Sequence, residues 1–443
     1  ALPLSTASRA RWLLVSMYLL FGLMTSSWLA RLPTVRDLLQ LSTAQLGAFL
    51  LVGSVGALAA VAFSGVVVQR LGNRGTLLVA SGILVVGYTL MGVGPGVRSG
   101  GLLAAGILLN GVAVALANVT FNVESARIER AMGRTVIPTF HAAFSLGAMA
   151  GSALGALASR AGVPLVVQMP AVVAVAVGAR LAALPGALLP RTADEADEDR
   201  EHHEHDEDRA GGLGEVAGPV APVRGRGFTA ALDPWKERRT LLIGVVVLAA
   251  SLSEGSANNW LSLAVVDGFH APEASGGLVL GLFVGAMTAV RVLGTRLIDR
   301  FGRVTVLRVS GVASLLGLLA FGLVPSLPLA AAGVALWGFG AALAVPIGIA
   351  AASDDPRRAA GRVAAVSVFS SVASITAPPL LGLAAESMGA RHALLLVTVA
   401  MVASVAVAGQ VRRSRPAPVR ATLASEPFSA GAGALVTTSG ELR

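Results

Sequence analysis

Ser251, Glu254, Asn258 and Ser262 follow one another at 3-4-4 spacing inside a long apolar run. On a helix that spacing stacks all four on one face. A carboxylate held among hydroxyls and amides in apolar surroundings has two possible uses. It can take up and release a proton, because burial disfavours its charged form. It can also tie its helix to a neighbour through hydrogen bonds. Glu254 lies about 14 residues, or roughly 21 Å at 1.5 Å per residue, into its run. It is the one acid read as well inside an apolar run. Asn259 and Trp260 adjoin the stripe, and Trp28 ends an earlier run in the same manner. Indole rings at such places either stack on a flat solute or form an interfacial belt. Asn110, Asn118 and Asn122 share about 120° of another helix; their amides suit hydroxyl or carboxylate groups of a solute, or hydrogen bonds to adjacent helices. Glu124 and Arg127 have i,i+3 spacing, and with His141 they form either a gate or a surface ion pair. Arg291, some seven residues inside its run, either snorkels to the surface or pairs with a carboxylate.

The elements that hold these residues must sit in lipid. Of 443 residues 54% are hydrophobic and 13% charged, against about 25% charged in soluble domains, and mean hydropathy is +0.74. Apolar runs of about 20 residues occur twelve times. The first six are 12–30, 43–68, 75–93, 101–123, 138–159 and 164–184. The second six are 240–265, 275–298, 304–324, 328–351, 363–387 and 391–411. The expected fold is all-α and polytopic, with 12 transmembrane helices in two pseudo-symmetric six-helix bundles at 1–185 and 240–411. A linker, 186–239, and a disordered tail, 412–443, are expected in the cytoplasm.

Charge sets orientation. With both termini cytoplasmic, only Arg31, Arg36, Arg98, Arg160 and Arg391 of the 34 basic residues lie outside, as the positive-inside rule requires. The net charge of +9 is therefore a topology signal, not a nucleic-acid footprint. The first run is span-length and lacks a small-residue cleavage site, so it reads as an uncleaved helix. The absence of cysteine excludes disulfides, Cys-ligated metals and thiol catalysis. Within the linker, residues 193–208 hold ten acids with His202, His203 and His205. They form either a metal-responsive loop or, more simply, a solvated linker. No cofactor is expected.

The two halves match at an offset of about 230 residues. Trp28-Leu29 pairs with Trp260-Leu261, Arg70-Leu71-Gly72 with Arg300-Phe301-Gly302, and Leu154-Gly155 plus Gly162 with Leu381-Gly382 plus Gly389, as a parallel repeat demands. Gly65, Gln69, Arg70, Gly72 and Arg74, and again Asp299, Arg300, Gly302 and Arg303, resemble the G-x-x-x-D-R-x-G-R signature of the major facilitator superfamily. Gln69 stands where its acid is usual, and Thr295 replaces the leading glycine of the second copy. Residues 140–145 and 254–260 resemble an uncharacterised bacterial branch grouped with fucose permease-like proteins. Val114 stands near the place of the acid that sugar-proton symporters of that branch carry. The resemblance implies a secondary transporter with alternating access, and a switching role for Asp299 and Arg300 in the signature loop. Glu254 points to proton coupling, and the Asn and Trp residues to a small polar organic solute such as a sugar or metabolite. Proton-driven efflux of amphipathic compounds and a non-transporting receptor are the alternatives. An enzyme is not expected: there is no H-E-x-x-H or G-x-S-x-G, and no P-loop, the only lysine being Lys236. The implied partners are a small solute, protons and the bilayer, for a monomer in a bacterial plasma membrane.

Overall fold

A computed structural model describes residues 4–134, 136–189, 233–355 and 358–412. Its elements are helices, since a chain in lipid must satisfy each backbone N–H and C=O within its own segment. In order they are α1 Leu4–Leu29, α2 Leu32–Leu39, α3 Thr43–Gly96, α4 Gly100–Met132, α5 Ile137–Arg160 and α6 Leu165–Ala187. The second half has α7 Arg238–Phe269, α8 Glu273–Phe301, α9 Arg303–Leu323, α10 Leu327–Ala341, α11 Ala344–Ala352, α12 Ala359–Ala393 and α13 Val397–Val407.

Ten helical stretches among the described residues are long and apolar enough to cross a membrane. Two of them are double. The 54-residue α3 turns back at Gly72 (φ 66, ψ 173), and α12 does so at Gly389 (φ 78, ψ 151). These conformations belong to a region open essentially to glycine alone. The stretches therefore make twelve spans: α1 is span 1, α3 is spans 2 and 3, α10 with α11 is span 10, and α12 with α13 supplies spans 11 and 12.

The repeat is visible in the backbone. Gly302, 230 residues after Gly72, has φ 77 and ψ 156 and separates spans 8 and 9. Gln40 and His270, also 230 apart, end α2 and α7 in the left-handed conformation. The three histidines at 202, 203 and 205, most of the expected linker and the tail beyond Arg412 lie outside the described residues.

Within the first half, the glycine ladder of span 5 brings it against span 1: a Cβ at Gly147 or Gly151 would collide with the Leu19 or Leu23 carbonyl. Between halves, span 2 packs on span 11 and span 5 on span 8. We call the membrane side holding the Gly72 and Gly302 turns the basic side, and the opposite one the far side. Contacts between halves concentrate on the far side. A Cβ on Gly382 would lie 2.7 Å from the Thr43 carbonyl oxygen, and one on Gly47 would lie 2.6 Å from that of Pro378. Backbone cannot yield there, so Gly382→Leu is expected to part spans 2 and 11. Spin labels on cysteines at Arg98 and Ser387, on far-side turns of the two halves, should then report a longer-distance population. An unchanged distance distribution would show that this contact does not hold the halves together. The native chain has no cysteine, so the labels need no background substitutions.

Candidate functional site

Span 10 is interrupted at Ala342 and Leu343, between α10 and α11. The cause is local. Pro346 has no N–H, so the Ala342 carbonyl lacks its i+4 donor. Arg291 of span 8 fills the gap: its Nε donates to the Ala342 oxygen at 3.2 Å. The same guanidinium donates through Nη2 to Glu254 Oε2 of span 7 at 2.9 Å. Arg291 thus pairs with the carboxylate and does not snorkel. The side chains keep 32% and 27% exposure, which makes this a solvent-reachable ion pair, not a sealed one. Arg291 Nη1 and Glu254 Oε1 have no partner among the described residues.

The first half faces this pair with His141 of span 5, which is exposed and within electrostatic reach of Arg291. Beneath it lies Tyr18 of span 1, with ring centroids 6.0 Å apart. Tyr18 Oη donates to Asn122 Oδ1 at 3.4 Å and lies 3.2 Å from Ser125 Oγ. Phe121 and Phe140 pack on the Tyr18 ring and fix its position. The sequence reading missed Tyr18, although it is one of only two tyrosines in the chain.

The span 7 stripe is not one uniform wall. Ser251 is 2.7 Å from Ser370 Oγ of span 11, and buried Ser262 donates to the Ala30 carbonyl at 3.3 Å. Glu254, Asn258 and Asn259 keep partial exposure; Glu254 is bonded to Arg291, and neither asparagine side chain has a partner among the described residues. On span 4, Asn118 and Asn122 are exposed, whereas Asn110 has a buried Oδ1 without a partner among the described residues, and its backbone nitrogen lies beside Gly87 of span 3. Trp28 (4% exposed) and Trp260 (1%) are sealed inside the bundle. Neither offers a ring face to solute or to a lipid interface in this state. His141 meets the Tyr18 ring, and no hydrogen bond joins it to Glu124 among the described residues.

The far side is closed by charge as well as by packing. Arg31, buried at the α1–α2 break, donates to Val163 O (3.1 Å) and Gln168 Oε1 (2.5 Å) and pairs with Glu273 at 3.2 Å. Glu273 opens span 8. It also accepts from Thr34 N (2.8 Å), Thr34 Oγ1 (2.6 Å) and Ser159 Oγ (2.5 Å). Arg36 pairs with Asp267 nearby. Every one of these acceptor-donor pairs that involves Glu273 or Asp267 joins one half to the other. Among the described residues, the remaining hydrogen bonds between halves are Ser262 to Ala30 and, deeper, Ser54 to the Ser374 carbonyl at 3.5 Å.

Two half-bundles closed at one end around a part-exposed ion pair is an arrangement that comparison with known proteins can place. Residues 243–438 match the major facilitator superfamily. The chain is 30% identical over 381 residues to an uncharacterized transporter, y4wD, of Sinorhizobium fredii, covering 86% of this chain and 92% of that one. The chain belongs to the major facilitator superfamily. Its fold is similar to the crystal structure of the nucleoside transporter NupG, with TM-score 0.65 at 13% identity over 92% of this chain and 100% of that one. It is also similar to FucP in the outward conformation, with TM-score 0.58 at 12% identity over 91% and 99%. The protein is thus a multi-pass membrane transporter and not an enzyme.

The superfamily's signature loops lie on the basic side, where each half braces itself. In the second half Arg303 Nη1 donates to Asp354 Oδ1 at 2.7 Å, and Arg239 reaches the other oxygen at 3.0 Å. The equivalent residues 230 positions earlier are Asn73 and Glu124, and they also bond. Glu124 pairs with Arg127 at 2.9 Å with 1% of its side chain exposed. The acid is therefore a buried brace, not a surface ion pair, because α4 continues to Met132, well past the expected end of span 4. Arg70 and Asp299 are exposed without a hydrogen-bond partner among the described residues, and Arg300 lies 5.4 Å over the Phe301 ring. In this state they make no bond across the halves. Glu237, just before span 7, pairs with Arg358 and Arg362. The Arg362 guanidinium foremost holds its carboxyl down at about 2, against the cost of burial. This brace stays ionised at any physiological pH. A groove of about 400 Å³ between spans 5, 8 and 10 is lined only by apolar residues, among them Met149, Leu278, Leu282 and Phe339. It shares no residue with the polar site.

Proposed function

We propose that this transporter is a proton-coupled secondary carrier of a small polar organic solute. The observation that carries the reading is the half-exposed Glu254–Arg291 pair, faced by His141, Tyr18 and Asn122 from the other half. Glu254 carries the proton; Asn118, Asn122, Asn258 and Asn259 contact the solute. The units at 1–185 and 240–411 rock as bodies, joined by the linker at 186–239, with Gly72 and Gly302 turning the signature loops. Arginine placement puts the basic side in the cytoplasm of a bacterial cell, with the protein in its plasma membrane. The far-side closure then makes this state inward-facing, the one in which cytoplasmic protons and solute reach Glu254. A monomer suffices, since both facing surfaces of the site come from one chain.

The test is solute flux in proteoliposomes containing the full chain, with and without an imposed pH gradient. A solute of this class is expected to accumulate only with the gradient. Accumulation that ignores the gradient would overturn proton coupling, and absence of flux across a broad panel of polar solutes would overturn transport of this class.

A further inference from the structure

We propose that the solute carries a carboxylate that docks on Arg291, and that one proton on Glu254 travels with each monoanion. This rests on the transport reading above and names its substrate class. Arg291 is held in place by the Ala342 carbonyl and spends Nη2 on Glu254, while Nη1 stays open. A planar fork with one arm free matches a second carboxylate in geometry and charge. Hydrogen-bonding groups for the rest of such a solute face it from the first half: the His141 ring and the amide of Asn122, whose oxygen already accepts from Tyr18.

Charge conservation then dictates the coupling. In the empty site Glu254 and Arg291 sum to zero. A proton alone breaks the pair and leaves +1, and an anion alone leaves −1. With both bound, neutral Glu254, cationic Arg291 and the anionic solute again sum to zero. A net charge in a low-dielectric passage is costly, so only the empty and doubly loaded states pass easily between inward- and outward-facing forms. Protonation of Glu254 also removes the competitor for Arg291, so each ligand strengthens binding of the other. The groups facing Glu254 fit this scheme. Span 8 contributes Arg291, the opposite half contributes His141 and Tyr18, and one turn away on span 7 Ser251 bonds to the neutral Ser370 hydroxyl of span 11. α10, α11 and α13 contain no titratable side chain.

The test uses matched pairs of acids and their amides, such as glucuronate with glucuronamide, lactate with lactamide and gluconate with gluconamide. Each is offered to proteoliposomes holding the full chain and an internal pH dye. At least one acid is expected to carry protons inward one for one. Its amide should be at least about tenfold weaker, and the flux of a monoanion should be indifferent to a potassium-diffusion potential. Arg291→Gln should abolish the preference for acid over amide, and Arg291→Lys should restore it in part. Thermal stability of each variant without solute controls for folding. Equal flux of acid and amide, flux that follows membrane potential, or an intact acid preference in Arg291→Gln each overturns the carboxylate assignment. Proton-linked uptake of neutral members alone would do the same while leaving the transport reading standing. No flux of any member overturns both.

Discussion

Glu273→Ala is expected to shift the protein from the far-side-closed state to the far-side-open one by a factor of about 100 or more. The carboxylate's partners, Arg31, Thr34 and Ser159, all belong to the opposite half. Its loss therefore touches the closure between halves and leaves the packing inside each half intact. Removing one member of a buried, hydrogen-bonded ion pair costs about 3–5 kcal/mol, and Glu273 keeps only 13% of its side chain exposed. In the open state these groups face water, and the substitution costs little. The lower end of that range already exceeds two decades at about 1.4 kcal/mol per tenfold. Spin labels at Arg98 and Ser387 should show the longer distance as the main population. Solute exchange should slow, because the return to the closed state becomes rare. Glu273→Gln, which keeps an acceptor for Thr34 and Ser159, should shift the balance less. If the alanine variant keeps the short distance, the far side is closed without Glu273, by the packing at Gly47 and Gly382 and the remaining Arg36–Asp267 and Ser262–Ala30 bonds.

Arg31 shows why this closure was hard to read from sequence. Counting positive charge by side treats an arginine at the end of span 1 as a loop residue. The same reasoning cannot tell an arginine that meets water from one that turns inward at a helix break. What decides is where Val163, Gln168 and Glu273 lie in space. The spans themselves were legible because lipid allows a single kind of apolar segment, and the six-plus-six repeat because glycine alone tolerates the backbone of the Gly72 and Gly302 turns. Glu124 and Asp354 are 230 apart, as are Asn73 and Arg303, so the offset alone pointed to paired braces. Glu254 stood out because a carboxylate in hydrocarbon is expensive, but its partner depends on helix rotation, which composition does not encode. Pro346 was the available signal: a proline within span 10 frees a carbonyl, and a donor must come from a neighbouring helix. Trp28 and Trp260 share a position in the repeat, and both are buried, which position in a span does not reveal.

Glu254→Gln separates carrying a proton from holding a helix in place, the two uses its sequence setting allowed. Glutamine has the shape of the protonated acid and can still accept from Arg291, which the Ala342 carbonyl holds independently. The bundle should therefore fold with its melting temperature little changed. A permanently neutral residue 254 cannot release a proton, so the empty site retains the uncompensated charge of Arg291 and crosses poorly. Accumulation driven by a pH gradient is expected to fall by about 100-fold or more. Exchange of labelled for unlabelled solute needs only the loaded form to cross, so it should persist at a rate near that of the native protein. A purely structural acid predicts a different pattern, with accumulation and exchange falling together along with thermal stability. Undiminished concentrative uptake would remove Glu254 from the proton path and leave His141, within electrostatic reach of Arg291, to be substituted next.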